Sequence, residues 1–105
     1  MIYDMRTYTC RPGTAPAQIK IWEEFGKTPQ TRHLGQPVVY GVAEVGELNT
    51  FVHIWAYESQ ADREQKRVAM QADPEWAVYI SKTREAGYIT AQRNQILVAP
   101  AFMVK

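Results

Sequence analysis

Apolar and polar side chains alternate along some stretches of this chain and recur at three to four positions along others, and the two periods divide it into strands and helices. Ile2 to Cys10 sets Tyr3, Met5, Thr7 and Thr9 on one side and Asp4, Arg6, Tyr8 and Cys10 on the other, and Arg11-Pro12-Gly13 ends the run, which predicts a first strand. Thr14 is placed to cap a helix carrying Ile19, Trp22 and Phe25 on one side. Thr28-Pro29 then reads as a fresh N-cap with proline at the first helical position, and Gly35 as a C-cap, so this helical region is expected in two pieces. Val38 to Val45 and Thr50 to Tyr57 flank Gly46-Glu47-Leu48-Asn49, a short loop whose end residues tolerate positive φ, and predict an antiparallel hairpin. Ser59-Gln60-Ala61-Asp62 approximates a capping box and opens a helix reaching Ala72. Asp73-Pro74-Glu75-Trp76 repeats the start signal for a helix with Trp76, Tyr79 and Ile80 on one side. Gly87 precedes a last strand, Tyr88 to Val98, and Pro100 closes it before the tail Ala101-Phe102-Met103-Val104-Lys105.

The order strand, helix, strand, strand, helix, strand, combined with right-handed crossovers, predicts an α+β fold: a ferredoxin-like βαββαβ protomer with a four-stranded antiparallel sheet, both crossovers on one side and the other side bare. The stretch Thr50 to Tyr57 sharpens the picture because it is apolar on both faces, with Phe51, His53, Trp55 and Tyr57 on one and Val52, Ile54 and Ala56 on the other. The aromatic set is expected on the bare side. Leaving Phe51, Trp55 and Tyr57 in water there would forfeit very roughly 10 kcal/mol at about 25 cal/mol per Å². That equals the net stability of a whole domain, about 5 to 15 kcal/mol, so a second copy of the sheet is expected as cover, in a homodimer about a two-fold axis.

Composition narrows the function classes. The 105 residues suit one domain, 1–105, and 46% apolar with 22% charged residues is the balance of a folded globular chain. Twelve basic against eleven acidic residues leave +1 with no run of either sign, which argues against nucleic acid and anionic membranes as partners. No apolar stretch approaches the ~18 residues of a membrane span. Cys10 is the lone cysteine and the first residues alternate as a strand does, without the pattern of an export signal, so a cytoplasmic setting is expected.

Candidate chemistry gathers on strands 1 and 3. Asp4, Arg6 and Tyr8 share one side of the first, His53, Trp55 and Tyr57 one side of the other, and the two sets converge if both face the uncovered side. Arg6 offers a planar fork for a carboxylate, Tyr8 and Tyr57 hydroxyl donors, and Trp55 a flat wall, a lining suited to an acidic aromatic or enolic ligand. His53 is the candidate catalytic residue, as a base toward an acidic C–H or O–H; a core histidine held by a hydrogen bond is the competing reading. His33, before Gly35, suits a helix C-terminus. Two histidines and one cysteine at these spacings give no metal site. Arg63, Lys66 and Arg67 beside Asp62 and Glu64 read as a solvated helix face with local ion pairs.

Several of these segments together, namely Arg6-Thr7-Tyr8 followed by Pro12-Gly13, Gly46-Glu47-Leu48-Asn49, His53-Ile54-Trp55-Ala56-Tyr57, Arg63 and Asp73-Pro74-Glu75-Trp76, are similar to the NIPSNAP family. That family lies within the dimeric α+β barrel superfamily, which also holds small cofactor-free monooxygenases and haem-binding members. The resemblance runs nearly end to end and departs at Met103, where a serine is expected. It implies a ferredoxin-like protomer whose sheet meets its partner's to enclose a barrel, and it implies no fixed chemistry. No cofactor is expected from the residues themselves; haem through His53 enters by superfamily analogy alone. Two readings stay open at this point. In one, the homodimeric barrel binds a small anionic or aromatic molecule through Arg6, Tyr8, His53, Trp55 and Tyr57, as a binding protein or a cofactor-free enzyme of monooxygenase or isomerase type. In the other, it is a non-enzymatic dimerisation or interaction module whose interior is solid.

Overall fold

The computed structural model describes residues 1–103, so the last two positions of the tail, Val104 and Lys105, lie outside the described residues. The strands are β1 (Ile2–Cys10), β2 (Val39–Val42), β3 (Thr50–Tyr57) and β4 (Ile89–Val98). The helices are α1 (Ala15–Ile21), α2 (Lys27–Leu34), α3 (Gln60–Gln71) and α4 (Pro74–Ala86), with a π-helical turn at Trp22–Gly26 and a 3-10 turn at Ala101–Met103. The sheet order is β2-β3-β1-β4 and every neighbouring pair is antiparallel, which is the ferredoxin-like arrangement the element order predicts. In this register Arg6 sits opposite both His53 and Asn94, and Tyr40 sits opposite His53. No helix among the described residues is long and apolar enough to cross a membrane.

Local signals place most boundaries. The Ser59 side chain accepts from the Asp62 backbone N–H at 3.1 Å while the Asp62 carboxylate reaches back to the Glu58 N–H at 3.0 Å, a capping box displaced by one residue. Asp73 caps α4 by accepting from the Glu75 N–H, and Gly87 ends it in the left-handed region at φ 63°. In the hairpin loop Asn49 holds φ 66°, and its carbonyl and side-chain oxygens accept from the N–H groups of Cys10 and Gly13, tying the loop to the end of β1.

The first helical region departs from expectation. It runs unbroken from α1 to α2 and Thr28 is not an N-cap, because the strain of Pro29 is relieved upstream instead. Proline offers no N–H to the carbonyl four residues back and crowds it, and here the preceding turn widens so that the Lys27 N–H reaches the Trp22 carbonyl five residues back. Strand β2 is also shorter than expected, ending at Val42, and Val45 stands in solvent.

The larger correction concerns which face is covered. Phe51, His53, Trp55 and Tyr57 point under the chain's own helices, where Trp55 is fully buried and packs with Ile2, Trp22, Leu34, Tyr57, Met70 and Tyr79. The bare face carries the smaller set: Val52, Ile54 and Ala56 of β3, Tyr3 and Met5 of β1, Val39 of β2 and Leu97 of β4, placed there by alternation and register. The physical reason is area. A strand apolar on both sides puts its bulkiest residues against the layer that folds with it, because those residues gain most from permanent burial.

Gly26 marks the tightest point of this packing. A Cβ there would lie 2.7 Å from Trp22 Cδ1 and 2.8 Å from Tyr79 Cδ1, with the Tyr79 ring's inner carbon at 2.9 Å, and neither ring can swing away within the core. Gly26→Ala is therefore expected to destabilise the fold by about 1 to 3 kcal/mol through overpacking, seen as a lower midpoint in thermal denaturation; an unchanged midpoint would contradict this packing.

Candidate functional site

Between the sheet and the helices lies a cavity of about 200 Å³. Its floor is Arg6 and Tyr8 of β1 with Phe51 and His53 of β3, and its roof includes Gln30 of α2, Arg67 of α3, and Trp76 and Tyr79 of α4. A groove past Ile80, Thr83, Ile89 and Gln92, between α4 and β4, shares these walls and leads outward. The cavity exists because α4 packs toward α1 and the π-helical turn, leaving the covered face of β4 without a helix close upon it.

His53 is clamped from three directions. Its ring stacks on Tyr8 from β1, centroids 5.2 Å apart, and on Tyr40 from β2 at 4.9 Å, while the Trp22 ring continues the pile beyond Tyr40 at 4.2 Å. Two positions along β3, the Trp55 indole N–H donates to His53 Nδ1 at 2.5 Å. An indole nitrogen can only donate, so Nδ1 must be the bare, accepting nitrogen and the ring proton sits on Nε2, a tautomer assigned from this bond. Burial, reinforced by the nearby Arg6 charge, pushes the imidazole down to about 3. His53 is therefore a neutral ring with Nε2–H and no free lone pair. The lone pair that a general base would use is, in this tautomer, already engaged by Trp55.

Arg6 is fixed from below. It donates through Nε to the Tyr8 hydroxyl at 3.0 Å and through Nη1 to Asp4 Oδ2 at 3.2 Å. Asp4 is fully buried and also accepts from Arg63 Nε at 3.0 Å and from Asn94 Nδ2 at 3.3 Å. Burial alone would push its carboxyl up, but the Arg63 bond, the Arg6 charge and the Asn94 bond outweigh it and hold the group below the usual carboxylate range.

Of the five residues expected to hold a ligand, Arg6, Tyr8 and His53 meet at the cavity. Trp55 and Tyr57 do not line it; they lie in the core beside it, and Trp55 acts on the site through His53. The cavity where they meet is the space under the chain's own helices. Arg67 and Arg63 are further corrections. Arg63 is tied to buried Asp4, and Arg67 enters the cavity wall beside the Tyr57 hydroxyl, without an ion pair among the described residues. Lys66 alone keeps the expected local pair, with Asp62 at 3.2 Å. The signal for the arginines was present, since positions 63, 67 and 71 fall on one stripe of a helix that also buries Met70. His33, expected at a helix end only, bonds Asp73 at 2.8 Å together with Arg32 at 2.7 Å, pinning α2 to the start of α4.

Among the described residues no cluster of three or more His, Cys, Asp or Glu could hold a metal. Haem does not fit the donor set either: the His53 Nδ1 lone pair is taken by Trp55, its Nε2 carries the proton, and tyrosine rings cover both faces.

A βαββαβ chain with one bare sheet face and a cavity beneath its helices is a ferredoxin-like α+β protein. A solved antibiotic biosynthesis monooxygenase shares that fold with a TM-score of 0.62 over 95% of this chain and 99% of its own, at 13% identity, which is a likeness of fold alone. The NIPSNAP family model matches residues 3–103, and the chain belongs to the NIPSNAP family. Protein Atu4242 from Agrobacterium tumefaciens superposes with a TM-score of 0.90 at 38% identity, over 97% of this chain and 96% of that one. A NipSnap protein of Caenorhabditis elegans is 34% identical over 82 residues, which are 78% of this chain and 15% of the relative's length.

Replacing Asp4 by Asn should leave Arg6 and Arg63 without their shared carboxylate, at a cost of about 3 kcal/mol for breaking a buried pair. A carboxyl held below its ordinary range contributes stability that is present above about pH 3.9 and lost as pH falls through the lower folded value. The wild-type melting temperature is thus expected to fall more steeply at acid pH than that of Asp4→Asn; parallel curves would refute the role assigned to this carboxylate.

Proposed function

We propose that this protein binds a small anionic molecule carrying one aromatic or enolic ring in the cavity between sheet and helices, and that two copies pair through the bare sheet face. The observation that carries the reading is the charge of the wall: Arg6 and Arg67 line it and no carboxylate does. Size agrees, since a cavity of about 150 Å³ suffices for benzene and this one is about 200 Å³ with an open groove beyond. Cofactor-free chemistry of monooxygenase or isomerase type is the catalytic form of the proposal. The isomerase form needs a protein base, and the neutral His53 with its occupied Nδ1 argues against it. A cytoplasmic setting suits the free, buried Cys10.

The pairing rests on the bare face, where Val39 is 45% and Leu97 37% exposed beside Tyr3, Met5, Val52, Ile54 and Ala56. An isologous contact would cover these side chains in both copies at once.

Native mass spectrometry of protein purified from its own host is expected to show a dimer retaining a small anionic molecule, and benzoate or salicylate at about ten times Kd should raise the melting point by several degrees. A dimer that emerges empty and is unmoved by such compounds would point instead to the interaction module. Ile54→Glu, on the bare face and away from the cavity, should give a folded monomer by sedimentation; a variant that still dimerises would rule out this face.

A further inference from the structure

The hydrogen bonds around the cavity run in one direction. Arg6 Nε donates to the Tyr8 oxygen, which leaves the Tyr8 hydrogen free to be donated elsewhere. Trp22 Nε1 donates to Gln30 Oε1 at 2.6 Å, which engages the oxygen of that amide and leaves its NH₂ group to donate. Trp55 does the same to His53, consuming the acceptor nitrogen and leaving Nε2–H as the ring's donor. Arg67 can only donate, and its guanidinium forms no ion pair among the described residues. Tyr8, Gln30 and His53 thus each have an acceptor filled by a neighbour, and these three and Arg67 line the cavity with a donor left to offer.

We propose that the cavity is an oxyanion site: it takes its ligand as a phenolate, enolate or carboxylate, with His53 Nε2–H, Arg67 and Tyr8 donating to the charged oxygen, and with Trp55 as the positioning residue that fixes His53 as a donor. The proposal rests on the reading that the cavity binds a small aromatic or enolic molecule, and adds the ionisation state that is bound and the groups that select it. The ligand's proton leaves to water on binding, so no side chain has to accept it. A neutral imidazole suits this task better than a cation. It donates one directed hydrogen bond, while the charge that favours the anion comes from the two guanidinium groups. The arrangement is stable across the physiological range because protonating His53 would break the Trp55 bond and bury a third positive charge beside Arg6 and Arg67.

The test uses 4-nitrophenol, whose ionised form is coloured, and its methyl ether 4-nitroanisole, which cannot ionise. Bound 4-nitrophenol is expected to titrate with a midpoint lower by about one to two pH units than in water, a roughly 10- to 100-fold preference for the phenolate, and 4-nitroanisole to bind correspondingly more weakly. His53→Phe keeps the ring pile and removes the donor; Arg67→Gln removes the charge from the α3 side of the cavity wall and keeps a polar side chain there. Each is expected to reduce the phenolate preference several-fold while the uncharged ether binds as before. Nitrogen-15 NMR of the wild-type ring should show the proton on Nε2 and no titration around pH 6.5, with Trp55→Phe mixing the two tautomers.

Equal binding of phenolate and ether, or a His53 ring that titrates near its ordinary pKa or carries its proton on Nδ1, would overturn the oxyanion site while leaving the cavity a ligand site. If none of 4-nitrophenol, 4-nitroanisole and benzoate binds at millimolar concentration, the ligand-binding reading itself fails, and the oxyanion site with it.

Discussion

One strand with two apolar faces and one covering layer is the constraint behind this structure. β3 can give only one of its faces to the chain's own helices, and it gives the bulky one: Trp55, Tyr57 and Phe51 are almost wholly excluded from water. Because alternation on a strand is strict, His53 is carried inward with them. A histidine placed there must lose its charge or find a partner, and it does both, giving up the proton to burial and its Nδ1 lone pair to the next inward residue. The functional character of the cavity thus follows from a packing decision made along eight residues.

The same decision explains the polarity of the floor. β1 brings Asp4, Arg6 and Tyr8 to the covered face, and a buried carboxylate is tolerable only when its lone pairs are filled. Asp4 is satisfied by Arg6, Arg63 and Asn94, drawn from its own strand, from α3 and from β4. Its hydrogen bonds are all made below the cavity, and Arg67, one turn along from Arg63, stands at the wall with no ion pair among the described residues. A net charge of +1 over the whole chain conceals this local excess. Charge counted over a sequence says little about a cavity lined by two arginines, of which only Arg6 is paired to the buried acid.

How much of this was legible beforehand depended on whether the signal was local. Element order, the hairpin pairing, the caps at Ser59 and Asp73 and the left-handed Gly87 rest on neighbouring residues, and the structure has them where the sequence places them, apart from the shorter β2. The joint at Trp22–Gly26 escaped because proline's effect was assigned to its own position rather than to the turn before it. Which face of the sheet the helices cover is not local at all. Alternation divides Phe51 from Val52 without saying which points at α3, so the expectation that the aromatic set faces outward had no local signal behind it. The bare face that results is still apolar, so the argument for a covering partner survives with smaller side chains and a smaller area behind it.

Arg67 and the role of His53 were readable in part. A long polar residue recurring at positions 63, 67 and 71, on the stripe that holds Met70, is a weak sign that a helix turns its charges inward. A histidine and a tryptophan two apart on a strand must share a face, and of the two only the imidazole can accept, so the direction of the bond between them is fixed by chemistry before any coordinate is known. What the sequence could not supply was that the pair is buried together, because only burial makes the bond worth forming and keeps the ring neutral. A solvent-exposed His-x-Trp would leave the imidazole free to titrate and to act as a base. Covered by tyrosines and turned under α3 and α4, the same three residues make a fixed donor, and the difference between those two chemistries is decided by the helices rather than by the strand that carries them.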